Sequence, residues 1–81
     1  MFKVGKVLNY FEKIGSALVL IDNPISIGDT VKFVRGQADL FEQKVSSLKV
    51  NHEDIQTIKK GQIVNIKTEQ KVEKDDEIYK I

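Results

Sequence analysis

Gly15-Ser16-Ala17-Leu18-Val19-Leu20-Ile21-Asp22-Asn23-Pro24, followed without a gap by Ile25-Ser26-Ile27-Gly28-Asp29-Thr30-Val31-Lys32-Phe33-Val34-Arg35-Gly36, is the stretch that decides the fold. Its first half predicts a strand from Gly15 to Ile21, with Ala17, Val19 and Ile21 on one side and Leu18 and Leu20 on the other. Apolar residues on both sides predict a strand buried on both faces. Asp22, Asn23 and Pro24 stop it, because proline has no amide to donate and Asp and Asn close turns through their side chains. Gly28 and Asp29 then form a turn into a strand from Thr30 to Arg35, with Val31 and Phe33 facing one way and Thr30 and Lys32 the other. Gly36 ends that strand.

Working outward, Lys3 to Tyr10 predicts an earlier strand, and Ile63 to Thr68 and Glu77 to Ile81 predict two later ones. Asp39 to Val50 reads two ways. Phe41, Val45 and Leu48 lie at i, i+4 and i+7, and Asp39 with Glu42 has capping-box spacing, which suits a helix. A strand needs a change of phase between Val45 and Leu48, which a β-bulge near Ser46 and Ser47 would supply, and it is the preferred reading. Asn51 to Lys60 is expected to be a loop holding one turn of helix. Val, Ile and Thr number 9, 10 and 3 against 2 Ala and 5 Leu, a balance of branched side chains that favours pleated structure over helix.

An 81-residue chain of 9.2 kDa is expected to be one domain over residues 1–81, with a thin core and little room for a deep cleft. With no cysteine, neither disulfides nor thiolate metal sites can support it. The longest apolar run, Ala17 to Ile21, is too short for a membrane span, and the start lacks a secretory apolar stretch, so a cytoplasmic, untargeted chain is expected. Thirteen basic and twelve acidic residues leave a net charge of +1, which excludes a global basic field for nucleic acid.

Ile25-Ser26-Ile27-Gly28-Asp29-Thr30-Val31 resembles the apolar-x-x-Gly-Asp-x-Val turn in the second domain of translational GTPases such as elongation factor Tu. Gly5-Lys6-Val7, Gly15 to Leu20, Gln43 to Leu48 and Lys60-Gly61 to Ile66 follow the same order and spacing. The closing Asp76-Glu77-Ile78-Tyr79-Lys80 is similar to stand-alone elongation factor-like proteins and to the C-terminal barrel of collagenase-like peptidases. The resemblance implies an all-β fold, a small closed antiparallel β-barrel of about six strands. Gly28 then serves a turn that wants positive φ, and Asp29 accepts hydrogen bonds from turn amides. Ile58 and Gln62 depart from the small and acidic residues that the resemblance would place beside Gly61.

No phosphate-binding Gly-x-x-x-x-Gly-Lys motif, no second histidine for zinc and no nucleophile paired with a base is present, so the expected reading is a non-enzyme without cofactor, metal or small-molecule substrate. His52 lies beside Glu53 and Asp54, a setting for a switch or proton shuttle; an exposed loop histidine is the plainer reading. Asp75-Asp76-Glu77 offers oxygen ligands to a hard cation but lacks the spacing of a calcium loop, so a solvated turn is expected. Most aromatic rings are expected in the core, with one of Tyr10 and Phe11 exposed.

Lys32, Arg35, Lys44, Lys49, Lys59 and Lys60 are the candidate RNA-binding residues, able to hold phosphates with little sequence preference. A mixed, solubilising surface is the alternative for them. The preferred function is a translation-associated module docking on ribosomal or transfer RNA. The alternative is a protein-docking module serving a peptidase-like or RNA-modifying enzyme, and it predicts an exposed apolar patch around Tyr10 or Phe11.

Overall fold

Every regular element in the computed structural model, which describes residues 2–81, is a β-strand. In chain order these are β1 (Phe2–Phe11), β2 (Ser16–Ile21), β3 (Ile25–Ser26), β4 (Thr30–Arg35), β5 (Ala38–Lys44), β6 (Leu48–Val50), β7 (Glu53–Asp54), β8 (Thr57–Ile58), β9 (Ile63–Lys67) and β10 (Glu77–Lys80). Eight of them form one antiparallel sheet in the order β5-β4-β10-β1-β2-β9-β6-β7, and β3 pairs with β8 in a second, two-stranded sheet.

The closed barrel of about six strands is therefore corrected to an open eight-stranded sheet, in which the terminal strands β5 and β7 are not paired with each other. The reason lies where β5 ends. Val45 turns inward to full burial, and its backbone bonds to the turn before β4 (Val45 N to Asp29 O, 2.8 Å; Gly28 N to Val45 O, 2.8 Å). Ser46 and Ser47 carry the chain across, and β6 pairs with β9 instead of β5. A side chain spans the seam: the buried Gln43 amide donates from Nε2 to Lys67 O (2.9 Å) and accepts at Oε1 from Glu69 N (2.8 Å). One amide thus supplies a donor and an acceptor, as a residue of a neighbouring strand would.

The segment that read two ways is strand. Phe41 lies opposite Phe33 in the β4–β5 ladder, with ring centroids 4.7 Å apart and near-parallel planes. Such cross-strand aromatic pairs stabilise a sheet beyond their buried area. The phase change is a break between β5 and β6 rather than a bulge at Ser46 and Ser47; the irregularity within β5 faces Phe33 and Val34. Residues 51–60 hold no helical turn but the short strands β7 and β8. Asn51 and His52 form the two-residue link between Val50 and Glu53, both with positive φ (51° and 68°), as a type I′ hairpin requires.

Branched side chains fill the interior, among them Val4, Val7, Val19, Ile21, Val31, Val64, Ile66 and Ile78. Phe33 is the one aromatic ring fully buried among the described residues; Phe2 and Phe11 are exposed, and Tyr10 and Phe41 pack on the core from its margin. The expectation that most rings are core gives way because aliphatic residues suffice for so thin an interior. Gly28 (φ 94°) occupies the third position of a turn closed by Asp29 N to Ser26 O (3.1 Å), and Asp29 Oδ2 accepts from Ser26 N (2.8 Å). Both residues thus have the roles expected of them. Ile58, where a small residue was anticipated, is buried opposite Ile25, and Gln62 Oε1 accepts from Lys59 N (3.2 Å).

Candidate functional site

Ladder registers fix which side chains share the outer face of the sheet. On β2, Ala17, Val19 and Ile21 point inward and are buried, leaving Ser16, Leu18 and Leu20 outside. Leu18 stands between Asn9 of β1 and Asn65 of β9, and Leu20 between Lys6 and Ile63. Ser16 stands between Phe11 and Lys67, and Asn65 continues to Lys49 of β6. The double-sided burial expected of β2 is therefore corrected: Leu18 and Leu20 are only half-buried, because nothing within the described chain covers that face.

The result is an apolar tract on β1, β2 and β9. Ile63 is 47% exposed, Phe11 39%, and Ile14, in the turn between β1 and β2, 68%. At one end the tract opens into a groove of about 550 Å³, lined by Phe11, Ile14, Ser16, Ser47, Lys49, His52, Asn65 and Lys67. His52 reaches it from the hairpin turn at the end of β6. Of Tyr10 and Phe11, Phe11 is the exposed ring, as their opposite facing predicts, and it lies in the region where the protein-docking alternative expects an apolar patch. Ile14, Lys67 and the outward leucines were missed. The available signal was β2 itself, apolar on both sides in a chain with no predicted helix to cover it.

The six candidate cations do not form one cluster in the fold. Lys32 is held by Asp39 (3.1 Å) with Glu42 at 4.0 Å, on the β4–β5 hairpin. Arg35 makes a two-pronged contact with Asp76 (Nε 2.8 Å, Nη2 2.9 Å), and Glu73 stands 3.5 Å away. Lys49 lines the groove and approaches Asp54 at 3.8 Å. Lys44 closes β5, while Lys59 and Lys60 lie in the turn between β8 and β9. Neither these three nor Lys67 makes an ion pair among the described residues.

Asp76 is not part of a solvated turn; it is 1% exposed. Its carboxylate accepts from Arg35 and from Glu73 N (2.8 Å), and its backbone oxygen accepts from Val7 N (2.8 Å). Burial by itself would push this carboxyl up, but the Arg35 guanidinium and the Glu73 amide outweigh it and hold the group below the usual carboxylate range. Asp76 thus braces the start of β10 against the β4–β5 hairpin, while Asp75 and Glu77 pair with Lys6 and Lys3 of β1. Among the described residues, no three His, Asp or Glu side chains group as metal ligands, and no helix is long and apolar enough to cross a membrane.

Comparison with known proteins corrects the translational reading. Over 77 residues the chain is 30% identical to a protein named "Uncharacterized protease MJ0090" from Methanocaldococcus jannaschii, covering 95% of this chain but 19% of that protein. The fold is that of two crystal structures of the C-terminal domain of a Geobacillus thermoleovorans putative U32 peptidase. One has a TM-score of 0.90 at 23% identity, covering 99% of this chain and 92% of the other. The second, a selenomethionine variant, has a TM-score of 0.89 at 22% identity, covering 96% and 98%. The similarity to collagenase-like peptidases is supported and the assignment to an elongation factor-like protein, with its role in protein synthesis, is overturned. Residues 3–78 match the model of the peptidase family U32 C-terminal domain, and the chain belongs to that family.

Proposed function

We propose that this domain is a non-catalytic docking module whose outer β1–β2–β9 face packs against the body of a U32 peptidase-like protein. The observation that carries the reading is the outward apolar tract of Leu18, Leu20, Ile63 and Phe11. In an antiparallel sheet one face normally meets the core and the other meets water, with polar residues alternating along each strand. β2 breaks that rule, and a strand that does so is built to be covered. What supports a cover from the peptidase body is that the chain spans 19% of the length of its protease-named relative, which leaves a larger remainder in that protein for such a face to meet.

Magnitudes agree. Completing the burial of four half-covered apolar side chains is worth roughly 3–6 kcal/mol at ~25 cal/mol per Å². That sum must offset the cost of association, so a modest affinity is expected between separate chains, and a stronger effect where a linker holds the two together.

Calorimetric titration of the 81-residue chain with a U32 peptidase lacking its own C-terminal domain tests the proposal. Saturable binding should be abolished by Ile63→Glu and by Leu20→Glu but left intact by Gln37→Glu in the turn between β4 and β5, which β10 and β1 separate from β2. Failure of the native chain to bind, or binding that tolerates both face variants, would refute the reading.

A further inference from the structure

We infer that the groove at the end of this face receives an acidic peptide segment bearing large apolar side chains, supplied by the same peptidase-like body. This rests on the docking reading and adds to it the chemistry of what enters the groove.

Three features lead to that occupant. The first is the sign of the charge. Lys49, Lys67 and His52 line the groove, and no Asp or Glu does. The domain as a whole is nearly neutral, with 13 basic and 12 acidic side chains, so a groove lined by two lysines and no carboxylate is a local departure from its surroundings. Lys67 has no ion-pair partner among the described residues, and the one carboxylate near Lys49, that of Asp54, stands 3.8 Å away. An incoming carboxylate would meet two lysines with little competition, in a concavity where water is partly displaced and the attraction correspondingly stronger.

The second is the apolar wall. Ile14 projects from the β1–β2 turn at 68% exposure, beside Phe11 at 39%. Turns favour Gly, Asn, Asp and Ser, and the turn Glu12-Lys13-Ile14-Gly15 gains nothing for its own folding from an isoleucine facing water. A lone exposed apolar residue would mean little, and Ile14 counts because it stands with Phe11 in the lining of one groove. Its branched aliphatic form suits a Leu, Ile or Phe side chain better than the flat stacking that nucleobases require.

The third is the floor. Ser16, Ser47 and Asn65 offer hydroxyl and amide groups to an extended main chain crossing the groove. The turn that carries His52 is held by the β6–β7 ladder, with Val50 opposite Glu53 and Lys49 opposite Asp54, so the wall is preformed. Preformed walls lower the ordering cost of binding.

The probe is a synthetic hexapeptide of two leucines flanked on each side by two glutamates, titrated into the isotopically labelled chain while backbone amide resonances are followed. Amides of residues 11–16, 47–52 and 65–67 should shift together and saturably. Raising salt should weaken the binding, and Lys49→Gln with Lys67→Gln should weaken it about tenfold while leaving thermal stability nearly unchanged, since the exposed Lys49–Asp54 pair is the one ion pair lost. Ile14→Ser should weaken binding of the peptide without altering its salt dependence. Equal binding of a hexapeptide in which glutamines replace the glutamates would overturn the charge argument. Preferential binding of a single-stranded oligothymidylate would overturn the choice of a peptide, and no shift with any probe would overturn the site. Should the peptide fail while the chain still binds the peptidase body through Leu20 and Ile63, the inference falls and the docking function stands.

Discussion

Replacing Gln43 by Met should show whether a side chain holds the seam of the sheet. Methionine conserves the unbranched shape and volume of glutamine but can neither donate to Lys67 O nor accept from Glu69 N, which lie 2.9 and 2.8 Å from the amide. Gln43 is 5% exposed, so the lost bonds are shielded on its side, whereas Lys67 and Glu69 are exposed residues whose backbone groups can turn partly to water. Two bonds at about 1 kcal/mol each give a loss of about 2 kcal/mol. At 4–8 °C per kcal/mol for a domain of this size, that lowers Tm by roughly 8–16 °C. Thermal unfolding followed by circular dichroism gives the magnitude. Hydrogen exchange at the Glu69 amide gives the location, and should accelerate about tenfold or more because opening of the seam becomes local. A Tm within about 3 °C of the native value, with Glu69 exchange unchanged, would refute the argument that this amide replaces a strand ladder.

Other substitutions test other joints. Gly5→Ala places a methyl 2.8 Å from Val19 Cγ1 and 2.9 Å from Leu20 O, and because the oxygen belongs to the β2 backbone the variant should lose about 1–3 kcal/mol in chemical denaturation. His52→Gly relieves a left-handed position (φ 68°) and should raise stability by about 0.5–1 kcal/mol in the same assay, turning Asn51-His52 into the preferred Asn-Gly hairpin turn. Asp76→Asn removes a carboxyl whose folded pKa is depressed. The contribution of that carboxylate is fully present above its unfolded pKa of about 3.9 and vanishes as pH falls through the folded value. Native and Asp76→Asn chains should therefore differ most near neutrality and converge below about pH 4, which stability measured from pH 7 down to 2 will check.

How much of this could be read in advance differs from residue to residue. Strands β1, β2, β4, β9 and β10 announce themselves because each holds a short run rich in branched or aromatic residues with turn residues near its ends. Strands β3, β7 and β8 have two residues each, too few to show a period: β3 and β8 exist only because distant segments pair, Ile25 with Ile58, and β7 only because the Asn51-His52 turn folds Glu53 back onto Val50. The seam escaped for a similar reason, since Gln43 is 24 and 26 positions away from the groups it binds and a lone glutamine carries no local signal. Asp76 was read as solvated because its partner Arg35 is 41 residues upstream.

The docking face was half visible. Phe11 was singled out as a ring that could be exposed, yet the leucines of β2 were taken for a second buried face. Alternation reports that a side chain is apolar, and cannot say whether its cover comes from this chain or another. Lys67 and Ile14 looked ordinary in sequence because it is the β2–β9 register and the β1–β2 turn that bring them to one groove. The six basic residues chosen from the sequence share a charge but not a location, and Arg35 and Lys32 face carboxylates of their own chain.

Methyl resonances offer the most direct test of the central claim. When a U32 peptidase body lacking its own C-terminal domain is added to the chain with labelled Leu and Ile methyl groups, Leu18, Leu20 and Ile63 should shift strongly, and the core methyls of Ile66 and Ile78 should hardly move. Shifts confined to other surfaces, such as Ile81 or Leu40 of β5, or a spectrum that does not change, would contradict the account.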